Sequence, residues 1–143
     1  MSLDEIIAQS TKDLAISSTN SLAVEAIRAP AIFSKYMKEY VSAKGKWKAL
    51  EREKAKVARE LFLYYSGKAD PAVLKRKGPI DFKILKSDID TFIKADPEMV
   101  EVQTILDELD LKVEVLGNIV RQVKDRDWNI RNAVEYLKFS NGG

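Results

Sequence analysis

The run YMKEYVSAKGKWKALEREKAKVARELFLYY, from Tyr36 to Tyr65, decides the fold. Tyr36, Tyr40, Ala43, Trp47, Leu50, Val57, Leu61 and Tyr64 recur alternately four and three residues apart, with Lys54 the one polar residue on that register. Such spacing keeps the apolar side chains on one stripe of a long helix, the seam along which helices pack. Ser66-Gly67 then supplies a stop, with Gly67 placed to take the left-handed conformation of a helix C-cap.

A second seam lies further on. Val102, Leu106, Leu109, Val113, Leu116, Val120 and Val123 repeat the four-three alternation. Asp96-Pro97-Glu98 opens this helix, because it combines a capping carboxylate, proline at the first position and an acid on the helix dipole. Two long helices with matched seams, joined by a connector, predict an antiparallel hairpin. The second helix also carries Leu111, Val115 and Ile119 on a face roughly opposite Val113 at 100° per residue. That face packs either on the terminal helices of the same chain or on another subunit.

The remaining elements are shorter. Leu3 to about Leu14 reads as an amphipathic helix, with Leu3, Ile6, Ile7 and Leu14 on its apolar side. Ser17-Ser18-Thr19-Asn20 interrupts it, and a new helical segment is expected from about Ser21 until Pro30 ends or kinks it near Arg28–Ala29. Lys68 to about Lys86 is a connector, in which Ile80, Phe82 and Ile84 alternate with Asp81 and Lys83 and permit one short strand. Asp127 is expected to cap a short last helix to Phe139, and Asn141-Gly142-Gly143 to fray. The fold class is all-α: one helical domain over residues 1–143, built as a long helical hairpin with short N- and C-terminal helices.

Charge divides the chain unevenly. Lys44 to Lys86 holds thirteen of its 24 cations against five acids, a net +8, and the rest carries −6, so the overall +2 conceals a basic middle. Residues 88–114 hold nine acids against Lys94 and Lys112. Lys48, Arg52, Lys56 and Arg59 form one stripe on the first long helix, spanning about 16 Å. It runs into Phe62, Tyr65 and Lys68 and on to Lys75, Arg76 and Lys77. Cations beside aromatic rings suit single-stranded nucleic acid, with phosphates neutralised and unpaired bases stacked, and with little base-specific readout. The plain alternative is a solvated helix face with i,i+4 partners.

Composition excludes much else. Without cysteine or histidine there is no disulfide, thiolate, imidazole base or Ser-His triad, and nearly every zinc site is ruled out. Asp107, Asp110 and Glu114 share a wedge that can hold a hard cation, but a solvated or ion-paired face is the better reading, and Asp88-x-Asp90 is no stronger. No phosphate-binding glycine loop, dinucleotide fingerprint or nucleophile elbow is present. The reading is therefore non-enzymatic and without cofactor or metal. No apolar run reaches the length of a membrane span and the first ten residues have no secretory-signal pattern, so no membrane partner and a cytoplasmic location are expected.

Arg59-Glu60-Leu61-Phe62-Leu63-Tyr64-Tyr65-Ser66-Gly67-Lys68 resembles a segment of the phage recombination mediator family UvsY. The blocks KDLAISSTNSLAVEAI, FSKYMKEY, LKSDIDTFIKADPEMVEV and IVRQVKDRDWNIRNAVEYLKF are also similar, and together they cover nearly the whole chain. The resemblance implies a non-enzymatic accessory of homologous recombination and repair. Such a protein binds single-stranded DNA, forms a ring-like homo-oligomer (hexamer or heptamer), and helps a RecA-like recombinase displace single-stranded DNA-binding protein. Of the basic pair that precedes YYSG in the family, Arg59 matches the first and Leu61 stands at the second. Lys56, Lys68, Lys75, Arg76 and Lys77 supply cations nearby.

The expected division of labour follows. Residues 44–86 face DNA through Lys48, Arg52, Lys56, Arg59, Phe62, Tyr65, Lys68, Lys75, Arg76 and Lys77. Residues 97–139 assemble the oligomer through Leu111, Val115, Ile119, Val134 and Leu137. A helical adaptor acting through protein partners alone is the competing reading, and duplex DNA binding by the same stripe is a third.

Overall fold

A computed structural model describes residues 1–142. Five helices follow one another: α1 (Leu3–Leu14), α2 (Leu22–Tyr65), α3 (Pro71–Lys77), α4 (Ile89–Ala95) and α5 (Pro97–Ser140), with single 3-10 turns at Thr19–Ser21 and Lys86–Asp88. The all-α expectation holds, and no strand occurs among the described residues. None of the residues on either four-three seam is exposed. The chain divides into two compact units, Met1–Lys44 with Leu111–Gly143 and Gly45–Asp110, and α2 and α5 contribute to both.

The first unit packs α1 and the adjoining parts of α2 and α5 around Ile6, Ile32, Tyr36, Ala43, Leu116, Ile119, Val120 and Val123. A capping box starts α1: Ser2 Oγ accepts from the Glu5 amide at 3.2 Å while Glu5 Oε2 accepts from the Ser2 amide at 3.1 Å. Tyr36 is fully buried, and its hydroxyl donates to Asp13 Oδ2 at 2.7 Å, which also receives Lys35 Nζ at 2.7 Å. Burial alone would push the Asp13 carboxyl up, but the bonds from Lys35 and Tyr36 outweigh it and hold it below the ordinary range. Arg126 on α5 is buried, ion-pairs with buried Glu25 on α2, and donates through Nε to the Leu14 carbonyl at 3.1 Å. Glu25 thus meets Arg126, while Tyr40 lies against Gly117, so the two helices run antiparallel within this unit.

Two expected boundaries are absent. Pro30 neither ends nor delays α2, which continues from Leu22 through to Tyr65. Proline there removes one amide bond to the carbonyl four residues back, at a cost of about 3 kcal/mol in an isolated helix. Buried Glu25, Ala29 and Ile32 fix the helix on both sides of it, so tertiary packing outweighs the local penalty. Asp127 likewise caps nothing: α5 is continuous to Ser140, and the Asp127 carboxylate pairs with Arg131 one turn on at 2.8 Å. Buried Arg126 and Ile130 hold that stretch to the core. Asn141 and Gly142 form a turn after the helix, and the expected fraying of Gly143 lies outside the described residues.

The second unit centres on Leu61, Ile89, Ile93 and Met99, with Val57, Ala58, Tyr65 and Ile84 packed against them. The cap at Gly67 forms as expected. Its φ is 77°, its amide bonds the Tyr64 carbonyl at 3.2 Å and the Lys68 amide bonds the Leu63 carbonyl at 2.8 Å, the Schellman pattern. The connector holds the short helix α3, opened by Pro71 after Asp70 and closed by Gly78 at φ 85°. The strand permitted at Ile80–Ile84 does not form: Ile84 packs on the core and Phe82 stays 61% exposed. A lone extended segment has no ladder to join.

Candidate nucleic-acid interface

Lys48, Arg52, Lys56 and Arg59 are all exposed on the part of α2 within the second unit, and none has an ion pair or hydrogen bond among the described residues. At 100° per residue they fall within about 80° of one another. Repulsion between four unneutralised cations on one helix face is relieved by an anion laid along it. Lys56 and Arg59 also border a hollow of about 280 Å³ whose far wall is Ala69, Asp70 and Val73 at the start of α3.

The Lys75-Arg76-Lys77 cluster divides into different roles. Lys75 is exposed and unpaired among the described residues. Arg76 ion-pairs with Glu60 and lies 3.2 Å from Glu98 Oε1, so its charge is already matched inside the unit. Lys77 is a structural cation. Its side chain is only 12% exposed, and Nζ sits 2.8 Å from Asp96 Oδ2 and 5.2 Å from the centre of the Tyr64 ring. Lys77, expected to face DNA, is thus committed to Asp96 and leaves little of its side chain open.

Asp96 is where the connector is fastened. Its carboxylate, 1% exposed, accepts from Lys77 Nζ, from the Tyr65 hydroxyl at 2.6 Å and, through Oδ1, from the Glu98 amide at 2.9 Å as the N-cap of α5. Burial would raise its pKa, but these donors together hold it below the usual carboxylate range. Burial, and then the same contact with Asp96, pushes the Tyr65 phenol well above its ordinary value. The Tyr65 ring is half-buried and edge-on to Tyr64 at 5.0 Å. Tyr65 therefore positions the connector, and its half-buried ring also lines the groove beside Phe62. Tyr64 adds a bond from its hydroxyl to the Gly78 carbonyl at 2.8 Å.

Phe62 is 48% exposed and, three residues beyond Arg59, continues the cationic stripe. It lines a groove of about 700 Å³ with Ser66, Lys68, Phe82, Lys83 and Lys86. Lys83 and Lys86 were not among the expected contacts, because nothing local distinguishes them from other connector lysines. Leu61 is fully buried in the core of this unit, so its position offers no site for a cation.

The assembly residues also separate. Ile119 is 5% exposed and belongs to the core of the first unit together with Ile6, and Val115 packs against that core. Intramolecular packing on α1 claims this end of the second face, whereas Leu111 stays 49% exposed. Val134 and Leu137 are half-buried and border a hollow with Leu22 and Ala23. Trp128, Tyr136 and Phe139 are each more than three-fifths exposed on the same helix.

Comparison with known proteins places this geometry in context. A family model described as recombination, repair and ssDNA binding protein UvsY matches residues 9–143. The recombination protein uvsY of Enterobacteria phage T4 is 24% identical over 142 residues, covering 99% of each chain. Two crystal structures of the bacteriophage T4 recombination mediator protein UvsY share the fold. Lattice type II superposes with a TM-score of 0.86 at 22% identity, covering 100% of this chain and 99% of that one. Lattice type I gives 0.84 at 21% identity, covering 95% and 98%.

Proposed function

Because the chain belongs to the UvsY family of recombination, repair and single-stranded DNA-binding proteins, we propose that it binds single-stranded DNA along Lys48, Arg52, Lys56 and Arg59 and acts as a recombination mediator. The observation that carries this reading is the stripe of four exposed cations with no partner among the described residues, continued by an exposed phenylalanine. Lys68 and Lys75 extend the positive track beyond it, whereas Arg76 and Lys77 serve the connector.

As a mediator the protein holds the strand while a RecA-like recombinase replaces single-stranded DNA-binding protein upon it. Self-association into a ring, a hexamer or heptamer, multiplies individually weak sites through high local concentration. The exposed apolar side chains Leu111, Trp128, Tyr136 and Phe139, with Val134 and Leu137, offer the surface for that assembly.

The test is a fluorescence titration of poly-dT at two salt concentrations with wild type and an Arg52→Ala/Lys56→Ala/Arg59→Ala variant. Each lost phosphate contact lowers the magnitude of the logarithmic salt slope by about 0.7 for a single strand, so the triple variant flattens it by about 2. All three residues are exposed, so the variant keeps its fold. Unchanged affinity in the folded variant removes the stripe from the DNA path. A wild type that binds no DNA at either salt turns the reading towards an adaptor acting through proteins alone.

A further inference from the structure

We infer that the groove between the end of α2 and the connector holds unpaired nucleobases of the bound strand, stacked against Phe82 and Phe62, with Lys68, Lys83 and Lys86 on the flanking phosphates. This rests on the proposed binding of single-stranded DNA and adds to it a subsite that reads the base rather than the backbone. Three independent features of the second unit converge on it.

The first is the pair of rings. Phe82 is 61% exposed and Phe62 48% exposed, and both line a concave space of about 700 Å³, a volume typical of a site that encloses a flat ligand. Phe82 is not loose. Its ring is backed by Phe92 at 6.0 Å, Phe92 by Tyr65 at 5.5 Å, and Tyr65 is anchored through its hydroxyl to Asp96. One side of a fixed ring therefore meets solvent, the arrangement on which a base stacks.

The second feature is charge. Lys68, Lys83 and Lys86 line the same groove, no acid does, and none of the three lysines has a partner among the described residues. An occupant that matches both flat apolar rings and three unneutralised cations carries aromatic surface and negative charge side by side, which is the chemistry of a nucleotide. An acidic peptide matches the charge but leaves the rings without flat partners.

The third is Ser66. It lines the groove, and its buried Oγ has no hydrogen-bond partner among the described residues, where buried polar groups ordinarily have one. Phe62 lies within about 40° of Lys48 around α2, so the groove prolongs the phosphate-binding stripe instead of opening on another face.

The experiment compares the full chain's affinity for an oligo-dT strand and for an abasic strand of the same length, which keeps every phosphate and lacks the bases. Wild type is expected to prefer the strand with bases. Phe82→Ala should lower oligo-dT affinity about 5- to 10-fold and leave abasic affinity unchanged, so the preference collapses. Phe82→Leu keeps apolar contact with Phe92 and should show the same loss, with far-UV circular dichroism unchanged in both variants. Lys83→Ala/Lys86→Ala should weaken both strands and flatten the salt slope. Equal wild-type affinity for the two strands, or a preference that survives Phe82→Ala, overturns the stacking groove while leaving the cationic stripe in place. Binding of neither strand by wild type overturns the reading of single-strand binding, and the groove with it.

Discussion

Replacing Asp96 by asparagine tests whether the connector is held by charge. The substitution keeps shape, and asparagine caps helices as well as aspartate does, so the bond from the Glu98 amide survives. What disappears is the negative charge beside Lys77, an ammonium on a side chain only 12% exposed, together with the acceptor Oδ2 to which Lys77 and the Tyr65 hydroxyl both donate. Removing one partner of a buried ion pair costs about 3–5 kcal/mol. Glu98 Oε1, 4.0 Å from Lys77 Nζ, remains as a distant partner and argues for the lower end. For 143 residues the unfolding entropy is about 0.3 kcal/mol/K, so a loss of about 3 kcal/mol lowers Tm by about 10 °C.

Thermal unfolding by circular dichroism at fixed protein concentration measures this, because assembly would otherwise shift the midpoint. Lys77→Met deletes the other partner, and the double variant should be more stable than the two separate losses predict, by about 2 kcal/mol. Acid gives a further check. The folded Asp96 carboxyl titrates below its unfolded value of about 3.9, so the unfolded chain takes up the proton first as pH falls. The stability it confers is complete above that value and is lost as pH drops through the folded value, so wild type and Asp96→Asn should converge in acid. A Tm change below 3 °C at neutral pH, or additive costs in the double variant, would refute the lock.

Two further outcomes are expected. Pro30→Ala restores an amide bond to the Ala26 carbonyl at an exposed position and should raise Tm, by about 1–3 kcal/mol in stability; an unchanged midpoint would show that the break in the hydrogen-bond ladder costs nothing here. Leu111→Glu changes a half-exposed side chain and should give smaller folded particles in sedimentation, whereas Ile119→Glu should unfold the chain; unaltered mass for Leu111→Glu would exclude that position from an intersubunit contact.

What was legible in the sequence follows from how local each signal is. The two seams could be read because a period of four and three residues projects one face whatever packs on it, and every seam residue is at least half-buried. Gly67 and the Asp96-Pro97 start were legible for a similar reason, since each depends on backbone geometry a few residues long. The helix end allowed at Pro30 and the cap expected at Asp127 do not occur because those local preferences are worth a few kcal/mol at most, and the buried pair Glu25–Arg126 with its apolar neighbours decides both stretches. The basic track was legible as a sum of charges but not as roles. Lys75, Arg76 and Lys77 are equivalent in sequence, and only the fold assigns Arg76 to Glu60 and Lys77 to Asp96 while leaving Lys75 free among the described residues. Ile119 shows the same limit, as helical phase gives a second apolar face without saying that α1 covers this part of it.

The fastening at Asp96 bears on the entropy of DNA binding. Gly78 to Leu85 contains no helix, yet it supplies Phe82 and Lys83 to the groove. A free segment of that kind would be ordered only when the strand arrives, at about 0.5–1.5 kcal/mol for each side chain immobilised. Here folding already fixes the near end of the segment, through one carboxylate shared among α2, the end of α3 and the start of α5 and through the Tyr64 bond to the Gly78 carbonyl. A strand stacking in the proposed groove would then meet a wall already set in place, and more of the stacking energy would remain as affinity.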